Sequence, residues 1–299
     1  MPNLAPLKEG DHVAIIATAK RIEFEIEPAL NVIKRWGLVP VLGKHALGKK
    51  GYFACQPEES LQDLQWALDD AKVKAIIFLR GGYGTTRILD QVVFPPRPKW
   101  LVGYSDLTSF ILQLNRLNHA MVHGAMCSTL GNDEGSDNYL KAMLFGQKHF
   151  VFPLHASQLT SVGIVEGEMT GGNLSLIYES IGAANQINAS GKILFLEEVG
   201  EQMYAIDRML NKLKRIGALN ELKGLIIGSF TGIGNKDDYY KESVEELICH
   251  YCSKEIPVAI GLSSGHDKAN YPLLLGQQAR ISITTKELTI QYLEDKASN

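Results

Sequence analysis

The first half of the chain alternates short apolar segments with segments in which apolar residues recur every three or four positions. Apolar runs at residues 12–17, 38–42, 75–79 and 100–104 predict buried β-strands. The helical spacing is carried by Leu30 and Ile33, by Leu61, Leu64, Leu68 and Ala71, and by Leu107, Phe110, Ile111 and Leu114. Apolar strands separated by helices are typical of parallel sheets, so we expect an N-terminal α/β domain with a doubly wound parallel sheet.

The alternation is interrupted at residues 149–168, which have no strong helical spacing and are expected to form a crossover between two domains. The elements predicted beyond it are strands at 192–196, 225–230 and 258–260 and a helix with Ile206, Met209, Leu210, Leu213 and Ile216. Residues 279–283 and 288–292 alternate apolar and polar side chains, which predicts a terminal β-hairpin. The chain therefore divides into an N-terminal domain (1–148), the crossover and a smaller C-terminal α/β domain (169–299).

Composition narrows the function mainly by exclusion. Apolar residues make up 45% of the chain and charged residues 21%, and the formal net charge is -3. A chain so close to neutral gives no support for nucleic acid or an anionic membrane as a partner. The sequence has no apolar run of about 18 residues and no secretory pattern at its N-terminus. Because its four cysteines are scattered, the simplest expected location is the reducing cytoplasm.

Cys249 and Cys252 form the only closely spaced cysteine pair, inside a segment with helical spacing at residues 241–253. A metal or redox site would need a second ligand pair, or a Cys-x-x-Cys that opens a helix after a strand. We therefore interpret the pair as part of a packed helix face and keep a metal or redox role as the alternative.

The first candidate for chemistry is Gly103-Tyr-Ser-Asp106, between a predicted buried strand and a predicted helix. A serine at such a turn projects its hydroxyl from the carboxyl edge of the sheet, and the next backbone N–H is available to an oxyanion. The usual elbow pattern is G-x-S-x-G, and Leu107 replaces its final glycine. The alternative is that Ser105 or Asp106 only caps the helix.

A second candidate is the loop Arg80-Gly-Gly-Tyr-Gly84, which follows another predicted strand. Adjacent glycines let a backbone approach a ligand closely and present N–H groups to negative charge. The spacing differs from the dinucleotide fingerprint G-x-G-x-x-G, so no nucleotide cofactor is expected. An ordinary tight turn is the alternative.

A nucleophilic serine needs a base, and the base needs an orienting carboxylate. His266 lies in a glycine-containing loop after the predicted strand at 258–260, and Glu197 and Glu198 end the predicted strand at 192–196. Ligands bind in open α/β sheets at the carboxyl ends of the strands, where these residues are expected.

Six motifs occur together in one order along nearly the whole chain. They are Arg80-Gly-Gly-Tyr-Gly84, Gly103-Tyr-Ser-Asp106, His123-Gly124, Gly171-Gly-Asn173, Leu196-Glu-Glu-Val-Gly-Glu201 and Gly265-His266. This set resembles the LD-carboxypeptidases, the serine peptidases of the muramoyltetrapeptide carboxypeptidase and microcin-immunity group. The chain departs from the family pattern at Ala17-Thr18 and at Ala125 after His123-Gly124, which affects substrate preference more than the triad.

The resemblance implies a catalytic triad of Ser105 as nucleophile, Glu197 as orienter and His266 as general base and then acid. It also implies an oxyanion hole formed by the backbone N–H groups of Asp106 and Gly82. Glu197 is chosen over Glu198 because the family places the catalytic glutamate first. Neighbouring side chains on a strand point to opposite faces, so only one of the two can face His266.

The function implied by the resemblance is hydrolysis of the L,D-peptide bond before a terminal D-alanine in murein tetrapeptides, during peptidoglycan recycling. The alternative within the family is cleavage of peptidyl-nucleotide antibiotics of the microcin type. Outside this class, the chain could be a two-domain ligand-binding protein without activity. The resemblance further implies a homodimer, and a Ser-His mechanism needs no cofactor and no metal.

Overall fold

The computed structural model of the chain describes residues 4–236, 239–252 and 255–294. In chain order the strands are β1 (His12–Ile16), β2 (Val39–Leu42), β3 (Val73–Phe78), β4 (Trp100–Val102), β5 (Met121–His123), β6 (His149–Pro153), β7 (Gly163–Asn173), β8 (Ile193–Val199), β9 (Gly224–Thr231), β10 (Val258–Ile260), β11 (Leu273–Leu275), β12 (Gln278–Ile283) and β13 (Glu287–Tyr292). The α-helices are α1 (Glu27–Arg35), α2 (Pro57–Asp69), α3 (Thr108–Arg116), α4 (Glu134–Leu144), α5 (Leu174–Glu179), α6 (Met203–Arg215) and α7 (Val244–Tyr251).

The first sheet has the strand order β11-β5-β4-β3-β1-β2. Strands β1 to β5 pair in parallel, and their order is that of a flavodoxin-like doubly wound sheet. This confirms the predicted parallel sheet of the N-terminal half. Strand β11 was not predicted, and it pairs antiparallel with β5 although it comes from the far end of the chain.

The second sheet has the order β10-β9-β8-β7-β12-β13-β6. Strands β7 to β10 are parallel, whereas β12, β13 and β6 pair antiparallel beside them. The predicted hairpin is confirmed as β12 and β13. Residues 149–168, expected as a crossover, supply β6 and the first half of β7 to this sheet. The domain boundaries on either side of that segment stay predictions.

Strand β8 separates two apolar cores, because alternate residues point to opposite faces. Ile193 and Phe195 pack into a core that also contains the strands of the first sheet. Leu194 and Leu196 pack on the other side, against α5, α6 and α7. The predicted strand was too short at its end, since β8 continues through Glu197 and Glu198. Both carboxylates accept hydrogen bonds in the interior, as described below, although Glu197 Oε1 has no partner among the described residues.

Helix α7 is shorter than the predicted segment 241–253, and Ser253 lies outside the described residues. It begins after Ser243, which forms a capping box with Glu246. Cys252 belongs to the second core and Cys249 packs against it, in agreement with the packing interpretation. Burial raises the pKa of Cys252 to about 12, so this thiol is protonated at neutral pH. No helix within the described ranges is long and apolar enough to cross a membrane.

Candidate active site

Ser105 occupies a strained turn between β4 and α3. Its backbone φ is +63°, a left-handed conformation that an L-residue other than glycine adopts at a cost. A short 3-10 turn, Ser105–Leu107, links it to α3. A Cβ atom on Gly103 would lie 2.9 Å from Leu107 Cγ, so the turn needs glycine there. Leu107, the departure from the regular elbow pattern, fills this space, and the arrangement is that of a nucleophile elbow.

The glycine loop after β3 lies against this serine. A Cβ atom on Gly81 would be 3.0 Å from Ser105 Oγ and 3.5 Å from the backbone nitrogen of Asp106. A Cβ atom on Gly82, whose φ is +118°, would instead lie 2.8 Å from Lys20 Cβ and 3.1 Å from the Tyr52 hydroxyl. Gly81 is therefore the glycine of this loop that lies beside Ser105, and the sequence interpretation gave it no role. The assignment of the oxyanion donors to Asp106 and Gly82 stays a prediction.

Asp106 ties the glycine loop to the elbow. Its buried carboxylate accepts the backbone N–H of Thr85 at 2.9 Å. Burial raises the pKa of Asp106, and the Thr85 hydrogen bonds oppose that shift. The side chain therefore holds the end of the loop in place while its own backbone N–H remains beside the serine.

Glu197 and His266 are in direct contact across 69 residues of sequence, with 2.7 Å between Glu197 Oε2 and His266 Nδ1. Glu197 is fully buried. A Cβ atom on Gly265, whose φ is +138°, would lie 2.9 Å from Glu197 Oε2, so glycine lets the histidine loop approach the carboxylate. Burial alone lowers the pKa of His266, but the hydrogen bond and charge of Glu197 raise it more, and the net shift is upward.

Glu198 has a separate set of partners on the opposite face of β8. Its carboxylate accepts the Asn173 side-chain N–H at 2.8 Å and both the N–H and the hydroxyl of Ser175 at 2.7 Å. The strand pairing between β8 and β9 shifts register between Leu196 and Glu198, a β-bulge of the kind that re-aims side chains near sites. Glu198 therefore fastens the start of α5, and Glu197 alone faces the histidine.

Contacts between the two halves of the chain bring the turn of Ser105 close to His266. The ring of Tyr104, the residue before Ser105, lies edge-on to the His266 ring with 4.8 Å between centroids. Thr108, at the start of α3, accepts the backbone N–H of Asn173 at 3.1 Å. A Cβ atom on Gly172 would lie 2.7 Å from Thr108 Oγ1, so the two elements touch closely. The structure thus places the turn of Ser105 beside His266 and Glu197, at an edge formed by the carboxyl ends of their strands.

Two residues at this edge had no assigned role in the sequence interpretation. His123 ends β5 and is fully buried, with its ring 4.8 Å from that of Phe195 and neither ring nitrogen hydrogen-bonded to a described residue. Burial lowers its pKa to about 3, so this imidazole is neutral. The other is Arg80, which lies two residues after the end of β3. Their position at strand ends was the available signal, but it does not distinguish a role in packing from one in binding.

The described residues contain no cluster of three or more His, Cys, Asp or Glu side chains suited to a metal ion. The predicted independence from metals rests on the Ser-His chemistry and stays a prediction.

Comparison with known proteins gives matches along most of the chain. Residues 13–124 match the family model of the LD-carboxypeptidase N-terminal domain, and residues 166–281 match that of the LD-carboxypeptidase C-terminal domain. The two matches are separated by residues 125–165, which lie between the end of β5 and the first residues of β7.

Relatives and solved structures agree with the family models. A relative from Bacillus subtilis named "Probable murein peptide carboxypeptidase" is 34% identical over 95% of this chain and 93% of its own. The murein tetrapeptide carboxypeptidase of Pseudomonas aeruginosa is 29% identical over 89% of this chain and 92% of its own. The crystal structure of muramoyltetrapeptide carboxypeptidase from Oxalobacter formigenes is 27% identical, with a TM-score of 0.85 over 95% of this chain and 99% of that one. The chain therefore belongs to the LD-carboxypeptidase family of peptidases.

Proposed function

We propose that this peptidase is a serine LD-carboxypeptidase that releases the terminal D-alanine of murein tetrapeptides through Ser105, Glu197 and His266. The observation that carries the proposal is the buried contact between Glu197 and His266 beside the strained turn of Ser105. The names of the Bacillus, Pseudomonas and Oxalobacter relatives support a murein peptide as the substrate class. Three further expectations stay predictions: a role in peptidoglycan recycling, a cytoplasmic location and assembly as a homodimer.

The first half of the reaction forms an acyl-enzyme. Because His266 Nδ1 is bonded to Glu197, its Nε2 is the nitrogen that takes the proton of the Ser105 hydroxyl as Ser105 Oγ attacks the carbonyl carbon. The carbonyl oxygen becomes an oxyanion, which backbone N–H groups at Asp106 and the glycine loop stabilise. When the C–N bond breaks, His266 gives its proton to the departing amine of D-alanine.

The second half restores the enzyme. A water molecule attacks the acyl carbon while His266 Nε2 takes one of its protons, and that proton then returns to Ser105 Oγ as the ester bond breaks. Glu197 stays ionised, fixes the histidine tautomer and stabilises the imidazolium that forms in both halves. The upward shift in the pKa of His266 is consistent with this role.

The test incubates the purified chain with L-Ala-γ-D-Glu-meso-diaminopimelate-D-Ala and measures free D-alanine, with a serine-directed phosphonate as the covalent probe. We expect D-alanine release, and a phosphonate adduct that mass spectrometry locates on Ser105. Hydrolysis of a peptidyl-nucleotide conjugate without tetrapeptide cleavage would move the substrate to the microcin-immunity type. If the chain cleaves neither substrate and the phosphonate does not label it, the result would favour a ligand-binding protein without activity.

A further inference from the structure

Three cationic residues lie in or beside the glycine loop Arg80–Gly84, and the two outside the loop already have partners. Arg21 forms an ion pair with Glu23 at 2.9 Å and also donates to the Gly51 carbonyl at 2.9 Å. Lys20 places its ammonium group over the ring of Tyr52, 5.6 Å from the centroid. The third cation, Arg80, lies two residues after the end of β3. Glu23 pairs with only one of these three positive charges, so the rim of the site that they form attracts anions.

Most hydrogen-bond donors of the Arg80 guanidinium group have no partner among the described residues. Its Nε is buried and has no hydrogen-bond partner among the described residues. Its Nη1 makes one long contact, 3.4 Å to the Arg21 carbonyl oxygen. No carboxylate of the described chain pairs with it. A guanidinium group has five N–H donors in a rigid fork that matches a carboxylate, so this one retains the capacity to bind an external anion.

The position of Arg80 is close to the reacting atoms. A Cβ atom on its neighbour Gly81 would lie 3.0 Å from Ser105 Oγ. Burial raises the pKa of Tyr104 to about 12, while the charges of Glu197 and Arg80 act on the phenol in opposite directions. Arg80 and the triad carboxylate therefore lie within electrostatic range of the same tyrosine, next to the nucleophile.

A carboxypeptidase that releases one residue must bind a carboxylate near its nucleophile. The terminal carboxylate and the scissile carbonyl of the substrate are separated by the single D-alanine, and one residue spans about 3.5 Å of extended chain. We propose that the guanidinium of Arg80 binds the terminal carboxylate of the substrate and thereby restricts cleavage to the last residue. This inference rests on the proposed function.

Another nearby arginine is less suited to this role. Arg87 is exposed, and its guanidinium stacks on Phe53 at 4.2 Å from the ring centroid. Arg21 is already neutralised by Glu23, which makes Arg21→Met a matched control for removal of one positive charge from the same rim.

The experiment compares two substrates, the tetrapeptide with a free terminal carboxylate and the same peptide as its terminal amide, for the wild-type chain, Arg80→Met, Arg80→Lys and Arg21→Met. Release of D-alanine or D-alaninamide gives kcat/KM for each. In Arg80→Met we expect kcat/KM for the free acid to fall about 10- to 100-fold, the loss typical of a hydrogen-bonded charge, mainly through KM. Hydrolysis of the amide should stay near the wild-type rate, Arg80→Lys should lie between, and Arg21→Met should retain the preference for the acid.

Each other outcome has a definite meaning. Equal losses on both substrates in Arg80→Met would show a structural role and overturn the inference, as would an unchanged preference for the acid. If Arg21→Met lost the preference for the free acid as much as Arg80→Met does, the effect would be one of general positive charge and would overturn the inference. If the wild-type chain cleaves neither peptide, the proposed function fails and the inference fails with it.

Discussion

The two edges that meet at the candidate site are constructed by different physical means. At the edge of the first sheet, the backbone determines the geometry: Ser105 has a φ of +63°, and Gly81 and Gly103 lie where a Cβ atom would be within about 3 Å of a neighbour. At the edge of the second sheet, Gly265 also permits a close approach, but buried hydrogen bonds hold the carboxylates of Glu197 and Glu198 in place. Changes at the first edge should therefore alter the nucleophile or its strain, whereas changes at the second should alter charge and proton transfer.

The largest expected effect tests the first edge. Ser105→Ala removes the attacking hydroxyl and should lower kcat on the tetrapeptide by roughly a million-fold, as loss of a triad serine does elsewhere. The matched control is Ser109→Ala, since the Ser109 hydroxyl is buried on α3 without a hydrogen-bond partner among the described residues. It should retain nearly full activity. More than a few per cent of residual activity in Ser105→Ala would contradict the assignment of the nucleophile.

The next effect tests the second edge with two neighbouring carboxylates. Glu197→Gln should lower kcat by roughly ten-thousand-fold with little change in KM, because the imidazolium loses its stabilising charge. Glu198→Gln should cost about tenfold or less in kcat, since Glu198 bonds to Asn173 and Ser175 rather than to His266. It should instead lower the free energy of unfolding by about 1–3 kcal/mol, measured in urea. Similar kinetic losses in both variants would indicate a general electrostatic effect.

A smaller effect is expected in the pH profile. His266 must be neutral to accept the proton of Ser105, so kcat/KM falls as the pH drops through its pKa. Because the contact with Glu197 gives His266 a net upward shift, the midpoint of this acid limb should lie above the ordinary value of about 6.5. In Glu197→Gln the limb should move to lower pH. A limb that stays in place in this variant would contradict the proposed coupling.

The smallest effect measures the strain at the first edge. Glycine tolerates a positive φ, whereas alanine does not, so Ser105→Gly should be more stable to urea than Ser105→Ala by about 1 kcal/mol. Both variants lack the hydroxyl, and the difference therefore isolates the backbone. A Ser105→Gly variant less stable than Ser105→Ala would argue against a strained elbow.

The sequence was most informative where periodicity was strong. Strands β1, β3 and β9, helices α1, α2 and α6, and the terminal hairpin all follow from apolar spacing, because each buries one face or both. Helix α4 was missed because its residues, EGSDNYLKAML, are mostly polar. Strand β7 was missed because glycine and glutamate dominate it. The pairing of β11 with β5 could not be predicted, since the two are about 150 residues apart.

For the site, motif order was enough to predict a triad but not to show the surroundings of its residues. A buried strand that ends in two glutamates indicated a functional carboxylate, and family order selected Glu197. The β-bulge and the approach of Gly265 that give Glu197 its partner depend on contacts between distant segments. The same holds for Arg80, whose lack of a carboxylate partner among the described residues is a property of the folded chain.

The most direct test of the account is to observe the hydrogen bond between Glu197 and His266 itself. A proton NMR spectrum in water should contain a strongly downfield resonance from the Nδ1–H of His266, identified by its absence in His266→Gln. We predict that this resonance persists in Glu198→Gln and is lost or moves far upfield in Glu197→Gln. A resonance that survives in Glu197→Gln and disappears in Glu198→Gln would contradict the account and place the triad carboxylate one residue later.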